Sequence, residues 1–458
     1  MEKNEMPGSS GVPRREFIKK TATAAAAVAT ASLIKTPVYG QSQPPSAGVT
    51  GANNKIVVGF IGVGAQGFNA HVRQIKTHAS DNNVALAAVC DVWTKRVNEV
   101  KQFIGGDCQG FDNYHKLLDR KDIDAVVIAT HDPMHARATL DSLNAGKHVY
   151  VEKPLTRYLG EAFEVHDTVK KTGKILQVGS QGCSAAGWHK AAELIQAGKI
   201  GPLIWGQGYY CRNDPKGEWN IPIDSDAKPD TIDWKQWLGS VKKDTPFNPE
   251  HYFRWRKFYP YCAGLLGDLI PHRLNPLMLA TGKPEFPSRV ICLGTKNVHP
   301  DKNTDGASER DVPEHLELIA EFPSGLSLVV AAGVVNAKSP GFAIYGHKAS
   351  LEIGNSGERV MLMPEKPFAD EIDPERFEGL TPIEDFAVHE KNWFDSIRAN
   401  QQPNANIDLA IRAQTVISLA EMSERLKVAC LFDEKTRKVT TDGGREIQPI
   451  TYGTLPLS

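Results

Sequence analysis

The chain lacks any apolar run of the roughly 18–20 residues that a membrane-crossing helix needs. It lacks a charge excess of either sign: 53 Lys and Arg stand against 54 Asp and Glu, a formal net charge of −1. That balance excludes a general electrostatic pull on nucleic acid or on an anionic membrane. Cysteine is sparse and unpatterned. The seven (Cys90, Cys108, Cys183, Cys211, Cys262, Cys292, Cys430) are odd in number, and none forms a C-x-x-C pair. This excludes a disulfide framework and fits folding in a reducing compartment. No Cys/His cluster has zinc-ligand spacing, so no metal site is expected. No internal repeat is present. With 458 residues the chain is long enough for two domains with large cores.

What is present centres on Lys55–Gly67, KIVVGFIGVGAQG. A short apolar run, Ile56–Ile61, leads straight into Gly62-x-Gly64-x-x-Gly67. The next residues, Phe68–His78, have helical spacing without Gly or Pro. This reads as strand, tight turn and helix. Gly62 allows the sharp turn, bare Gly64 lets backbone approach a pyrophosphate, and Gly67 lets helix and strand pack closely. Gly62, Gly64, Ala65, Gln66 and Gly67 are therefore the expected cradle of a dinucleotide, its phosphates held by the helix N-terminus. A second apolar strand, Val84–Cys90, ends in Asp91, 24 residues beyond Gly67. A carboxylate there suits the adenosine ribose hydroxyls and repels a 2′-phosphate, which favours NAD. Arg96, nearby, keeps NADP open.

Before this stretch lie two segments outside the fold. Pro13-Arg14-Arg15-Glu16-Phe17-Ile18-Lys19 is a twin-arginine pattern. A mild, Ala-rich apolar stretch, Thr21–Ile34, follows, and Val38-Tyr39-Gly40 offers small residues for a signal peptidase. Residues 1–40 resemble a bacterial Tat export signal, which implies the Tat machinery as a partner and a periplasmic destination. After signal removal no membrane association is expected. Residues 41–54, rich in Ser, Pro, Gly and Asn, read as a linker.

From Lys55 strands and helices alternate. Strands are expected at Ile56–Ile61, Val84–Cys90, Ala125–Thr130, His148–Val151 and Ile175–Val178, and helices at Trp93–Phe103, Met134–Ala145 and Gly160–Thr172. The pattern predicts a Rossmann-type, doubly wound parallel sheet over 55–181. Residues 182–458 read as a second α/β domain for substrate and oligomerisation. Its β-type runs (Arg289–Leu293, His315–Phe322, Leu326–Val335, Phe342–Tyr345, Ser350–Ile353) predict an open, mostly antiparallel sheet. Helices are expected at Trp188–Ile200 and Ile407–Lys427, and an edge strand or arm after Cys430.

Ligands of doubly wound sheets bind beyond the carboxyl ends of the strands. Candidate site residues therefore gather at Asp91, at Thr130-His131-Asp132-Pro133-Met134-His135, and at Glu152-Lys153-Pro154. Thr130, His131, Glu152 and Lys153 are expected at the cofactor. His135 is either structural or a cofactor-edge contact. Pro154 shapes the turn after Lys153, cis or trans. Further on, Asp268 and His272 in GDLIPH stand at i,i+4, one face of a helix. Pro271 between them is tolerable only at a helix start or a kink. Arg273 and Asn275 follow, either sugar contacts or ordinary surface polarity. An aromatic-rich stretch runs from Trp205 to Tyr261, and suits equally a carbohydrate-stacking cleft or a domain core. Trp255 and Arg256, just before the Asp268/His272 pair, are favoured as substrate contacts.

Together, GFIGVGAQG, the Asp91 strand end, ATHDPMH, KHVYVEKP and GDLIPH resemble the glucose–fructose oxidoreductase/inositol dehydrogenase (Gfo/Idh/MocA) family, over about residues 55–430. TIDWKQWLG (Thr231–Gly239) also resembles a segment of exported members. The resemblance implies a bound NAD or NADP and hydride transfer at a sugar or polyol carbon. It implies Lys153 beside the nicotinamide, its pKa lowered towards a useful range, and His272 as acid/base at the reacting hydroxyl with Asp268 close by. His131-Asp132 departs from the family's usual Pro-Asn. The resemblance also implies a homo-oligomer. Free NAD is scarce outside the cytoplasm, so an exported enzyme is expected to hold its cofactor tightly. Two other readings stand beside the oxidoreductase. One is a glycosidase that oxidises, eliminates, hydrates and re-reduces with no net NADH. The other is a non-catalytic, cofactor-bound binding protein.

Overall fold

The computed structural model describes residues 54–241, 245–299, 309–448 and 450–452. The export-signal segment 1–40, and the linker 41–54 apart from Asn54, lie outside the described residues.

The first sheet is built from the buried apolar runs. Its strands are β1 (Ile56–Ile61), β2 (Val84–Cys90), β3 (Gln109–Phe111), β4 (Ala125–Ile128), β5 (His148–Glu152) and β6 (Leu176–Gly179), all parallel, in the order β3-β2-β1-β4-β5-β6. β4 and the last four residues of β1 are buried on both faces, which is why they read as continuous apolar runs rather than alternations. The strand order reverses beside β1, and the ends of β1, β4 and β5 open onto one crevice. One expected element differs. The helix after the glycine turn begins as a π-helix, Gln66–Val72, and becomes α-helical only over Arg73–Thr77. Arg73 N–H donates to the Phe68 carbonyl five residues back. Such wide turns recur at functional sites, and this one carries His71 into the interior.

The second sheet has ten strands: β7 (Leu203–Cys211), β8 (Arg289–Thr295), β9 (His315–Glu321), β10 (Ser327–Gly333), β11 (Phe342–Gly346), β12 (Ala349–Ile353), β13 (Val360–Pro364), β14 (Glu375–Phe377), β15 (Cys430–Asp433) and β16 (Lys438–Thr441). Their order is β14-β13-β12-β11-β7-β10-β9-β8-β15-β16. Only the β7–β10 pair is parallel. The tail after Cys430 is the edge hairpin β15–β16. β8 and β9 alternate buried and outward residues. Part of the outward row is apolar: Ile291 faces Ile319 across the ladder, with Leu293 66% exposed beside them.

The Ile407–Leu426 helix joins the two sheets. It is buried nearly all round, as a helix between layers must be. It packs on β8, on β6, and on the Leu159–Thr172 and Pro271–Ala280 helices. Asn406 caps it by accepting from the Asp408 and Leu409 N–H groups. Inside this packing, Arg157 and Glu421 form a buried two-pronged pair, both contacts 2.7 Å. The Phe386–Ala399 helix lies against the first sheet and adds Trp393 and Phe394 to its core.

Removing one partner of a buried pair strands the other charge. Glu421→Ala should therefore lower unfolding stability by about 3–5 kcal/mol, and Arg157→Met with Glu421→Leu together by clearly less. Denaturant titration of the two variants checks this.

Candidate active site

The crevice at the strand ends is a cleft of about 650 Å³. It begins at the glycine turn. Gly62 sits at φ +84°, and a Cβ there would lie 2.8 Å from the Ala129 carbonyl carbon. A Cβ at Gly67 would lie 2.1 Å from the Gly62 oxygen, so helix and strand can approach only without one. A Cβ at Gly64 would meet only the Arg96 guanidinium, at 3.1 Å. Bareness at Gly64 thus serves the cleft, while Gly67 serves packing and does not line it. This cradle fits a pyrophosphate approaching the backbone.

Asp91 braces the cradle. One carboxylate oxygen accepts from Val63 N–H at 2.9 Å and the other from Trp93 N–H at 3.0 Å. It lines the cleft, with room left on each oxygen for a ribose hydroxyl. Arg96 reaches across from the next helix and donates to the Tyr252 hydroxyl at 3.0 Å.

At the other end of the cleft a buried carboxylate gathers cations. Lys153 Nζ donates to Asp268 Oδ1 at 2.6 Å and to the Asp268 carbonyl at 2.9 Å. Arg256 Nε donates to the same Oδ1 at 2.9 Å, and Trp219 Nε1 to Oδ2 at 2.9 Å. Arg212 stands 3.8 Å from Oδ2. Burial alone would raise the Asp268 pKa, but the Lys153 and Arg256 charges and the hydrogen bonds from Lys153 and Trp219 hold it well below the usual carboxylate range. The Lys153–Pro154 bond is cis.

The expected single helix carrying Asp268 and His272 is not formed. One short helix, Leu265–Asp268, ends at the aspartate, and the next, Pro271–Ala280, starts at the proline. Pro271 occupies a helix's first turn, the place that needs no N–H. Asp268 consequently serves Lys153 and Arg256. His272, the second residue of the second helix, faces the Tyr210 ring edge-on at 5.7 Å and has Glu384 at 3.9 Å. Burial, with the Lys153 charge adding to it, pulls His272 down to about 3.

The remaining candidates divide. Ala65, Gln66, Thr130, His131, Glu152, Trp255, Arg256 and Arg273 line the cleft. His131 stacks on Trp237 at 4.0 Å and is held neutral, at about 3, by burial and by His135. Arg273 lies over the Tyr210 ring at 4.4 Å and reaches Glu384 at 3.4 Å. His135 does not line the cleft. Its ring spans the Pro154 carbonyl (2.7 Å) and the Thr130 carbonyl (3.2 Å), tying two strand-end turns together. Asn275 is buried and donates to the Pro271 carbonyl, so it faces no sugar.

The aromatic stretch divides three ways. Trp219 and Tyr261 are core, Tyr210, Trp237, Tyr252 and Trp255 line the cleft, and Trp205 stacks with Tyr345 on the second sheet. Sequence reasoning missed Glu384, Asp385 and Phe386, which enter the cleft from a distant loop, and Arg212 at the end of β7. No local motif marks them; their distance along the chain hides them.

Residues 56–180 match the GFO_IDH_MocA family model, described as an oxidoreductase family with an NAD-binding Rossmann fold. An alpha-N-acetylgalactosaminidase of Shewanella oneidensis is 30% identical over 218 residues, covering 43% of this chain and 46% of the relative. An inositol 2-dehydrogenase of Salmonella typhimurium is 27% identical over 165 residues, covering 36% of this chain and 48% of the relative. The chain thus spans less than half the length of these curated relatives. Among solved structures, a levoglucosan dehydrogenase in complex with NADH and levoglucosan superposes with a TM-score of 0.62 at 17% identity, over 84% of this chain and 99% of that one. At that identity the likeness is one of fold.

Four histidines have lowered values, set chiefly by burial: His131 and His272 at about 3, His148 and His389 at about 4. Each is neutral when folded and takes up a proton near 6.5 when unfolded. Their stabilisation is present above about pH 6.5 and lost as pH falls towards 3–4. Carboxylates raised by burial, among them Glu161 and Glu390 at about 7, act in the opposite sense. Relative to the wild type, His148→Asn should therefore lose less of its urea midpoint as pH falls from about 6.5 to about 4.5.

Proposed function

We propose that the whole chain is an exported oxidoreductase of the Gfo/Idh/MocA family. It transfers a hydride between a sugar, glycoside or polyol carbon and a tightly held nicotinamide cofactor, NAD in preference to NADP. The observation that carries the reading is the Lys153–Asp268 pair at the end of β5, in the same cleft as the glycine cradle. The cradle and Asp91 take the pyrophosphate and adenosine half, which leaves the β4–β5 side for the nicotinamide. The nicotinamide, when bound, accepts or returns the hydride. Lys153 uses two donors on Asp268 and has a third for the substrate oxygen. Neutral His272 accepts the hydroxyl proton as the carbonyl forms. Arg212, Arg256, Arg273 and Trp255 position the sugar. The named activities of the inositol, levoglucosan and galactosaminide relatives all concern cyclic polyols and sugars, which supports the substrate class.

A second reading, hydrolysis through transient oxidation, is favoured by one observation. Tyr210 and His272 stand edge to face at the cleft, from two elements far apart in sequence. The galactosaminidase relative points the same way. Export by the Tat route rests on Arg14 and Arg15, and pairing of subunits on the outward apolar row Ile291, Leu293 and Ile319.

The test is to denature purified protein, identify any released dinucleotide, and offer native protein a panel of sugars and glycosides. Cofactor reduction and aglycone release are read in parallel. Reduction without release supports the oxidoreductase, and release without net reduction supports the hydrolase. Absence of any dinucleotide, bound or bindable, sinks both. Lys153→Met and His272→Gln should each lower turnover by about 10²–10⁴-fold with dinucleotide affinity largely kept. Unchanged turnover would remove the roles assigned to Lys153 and His272.

A further inference from the structure

Behind the cleft floor lies a chain of three buried ionisable groups that the reaction outlined above does not use. His71, fully buried, places Nε2 2.8 Å from Glu152 Oε1 and Nδ1 2.8 Å from Glu390 Oε1. Glu152 ends β5 and lines the cleft immediately before Lys153. Its carboxylate also receives Gln66 at 3.3 Å, Gln181 at 3.4 Å and the Lys153 N–H at 3.2 Å. Glu390 is 2% exposed and comes from the Phe386–Ala399 helix, far along the chain. A carboxylate accepts and cannot donate when ionised, so a histidine between two of them is satisfied at both nitrogens only as the cation. Two carboxylates and one imidazolium leave one net negative charge sealed beneath the cleft.

Resting on the reading of this cleft as a nicotinamide site, we propose that the Glu152–His71–Glu390 chain is an electrostatic device that makes the protein bind oxidised nicotinamide more tightly than reduced. The oxidised ring carries a positive charge and the reduced ring none. A fixed negative charge in a water-poor wall therefore acts on one redox form only. Glu152 acts at the cleft; His71 and Glu390 are positioning residues that act through it.

The ionisation of the three groups agrees with the geometry. Burial pushes His71 down, but its hydrogen bonds to Glu152 and Glu390 outweigh that and hold it up to about 9. Burial pushes Glu152 up, but the His71 bond and charge, with Lys153, bring it to about 2. Burial dominates at Glu390, which His71 only partly offsets, and it stands at about 7. Glu390 is thus the member that titrates near neutrality. The groups facing the chain are Tyr150 and Lys153 from β5 and its turn, His272 from the Pro271–Ala280 helix, and Asp385 and His389 at the start of the Phe386–Ala399 helix. Loss of the Glu390 proton takes the chain from neutral to net negative. The preference for oxidised cofactor should therefore grow as pH rises through 7.

The test measures dissociation constants of NAD⁺ and NADH separately, by calorimetry or fluorescence, on full-length protein stripped of dinucleotide. Glu152→Gln should weaken NAD⁺ about tenfold while NADH changes less than about twofold. In the wild type the ratio of the NADH to the NAD⁺ constant should rise about threefold between pH 6 and pH 8, and in Glu390→Gln it should be flat. Nitrogen NMR of labelled histidine gives a second readout: His71 should remain protonated at pH 8 in the wild type. Equal weakening of both redox forms, or a pH-independent ratio in the wild type, overturns the proposal and leaves the cofactor reading intact. Failure of the wild type to bind either form overturns both.

Discussion

Asp268 is the group on which the cleft depends. One buried carboxylate receives Lys153 from the first sheet and Arg256 and Trp219 from the segment beneath the second. Without it, two cations would face each other in a water-poor wall, and the Lys153 chain would have no fixed place. With it, a lysine at a strand end and an arginine from a loop become parts of one surface. The charge is satisfied from both sides of the molecule, so the aspartate also registers the two halves against one another. Asp268 closes one short helix and Pro271 opens the next.

Much of this was legible in the sequence. The parallel strands announced themselves as short apolar runs ending in chemistry-bearing residues, because both faces of that sheet are buried. The glycine turn was legible because each glycine answers to a separate steric demand. The Arg289–Thr295 and His315–Glu321 strands showed their alternation openly. β7 did not, because Gly206 and Gly208 sit where neighbours press in: a Cβ at Gly206 would lie 2.9 Å from Leu328. The Phe386–Ala399 helix was hidden for the opposite reason. Its buried face carries His389 and Glu390 among Trp393 and Phe394, so the apolar stripe is interrupted by the polar groups it delivers.

The site was legible to the extent that it is local. Strand ends and glycine turns are neighbours in sequence, and their residues were found together in the cleft. The Asp268 network and the Glu152–His71–Glu390 chain each include a contact beyond any spacing rule, 115 residues apart for Lys153–Asp268 and 319 for His71–Glu390. The value of His272 was likewise invisible, since it follows from burial and from the Lys153 charge rather than from residue type.

The core of the first sheet has a consequence for how the chain is made. Its apolar wall is completed by Trp393 and Phe394, and its helices are covered by Ile407–Leu426. The segment that carries the cofactor cradle therefore leaves the ribosome unable to close its own core. It must wait, with an apolar face uncovered, until more than two hundred further residues have been synthesised. Completion of that core therefore depends on chain that emerges late in synthesis.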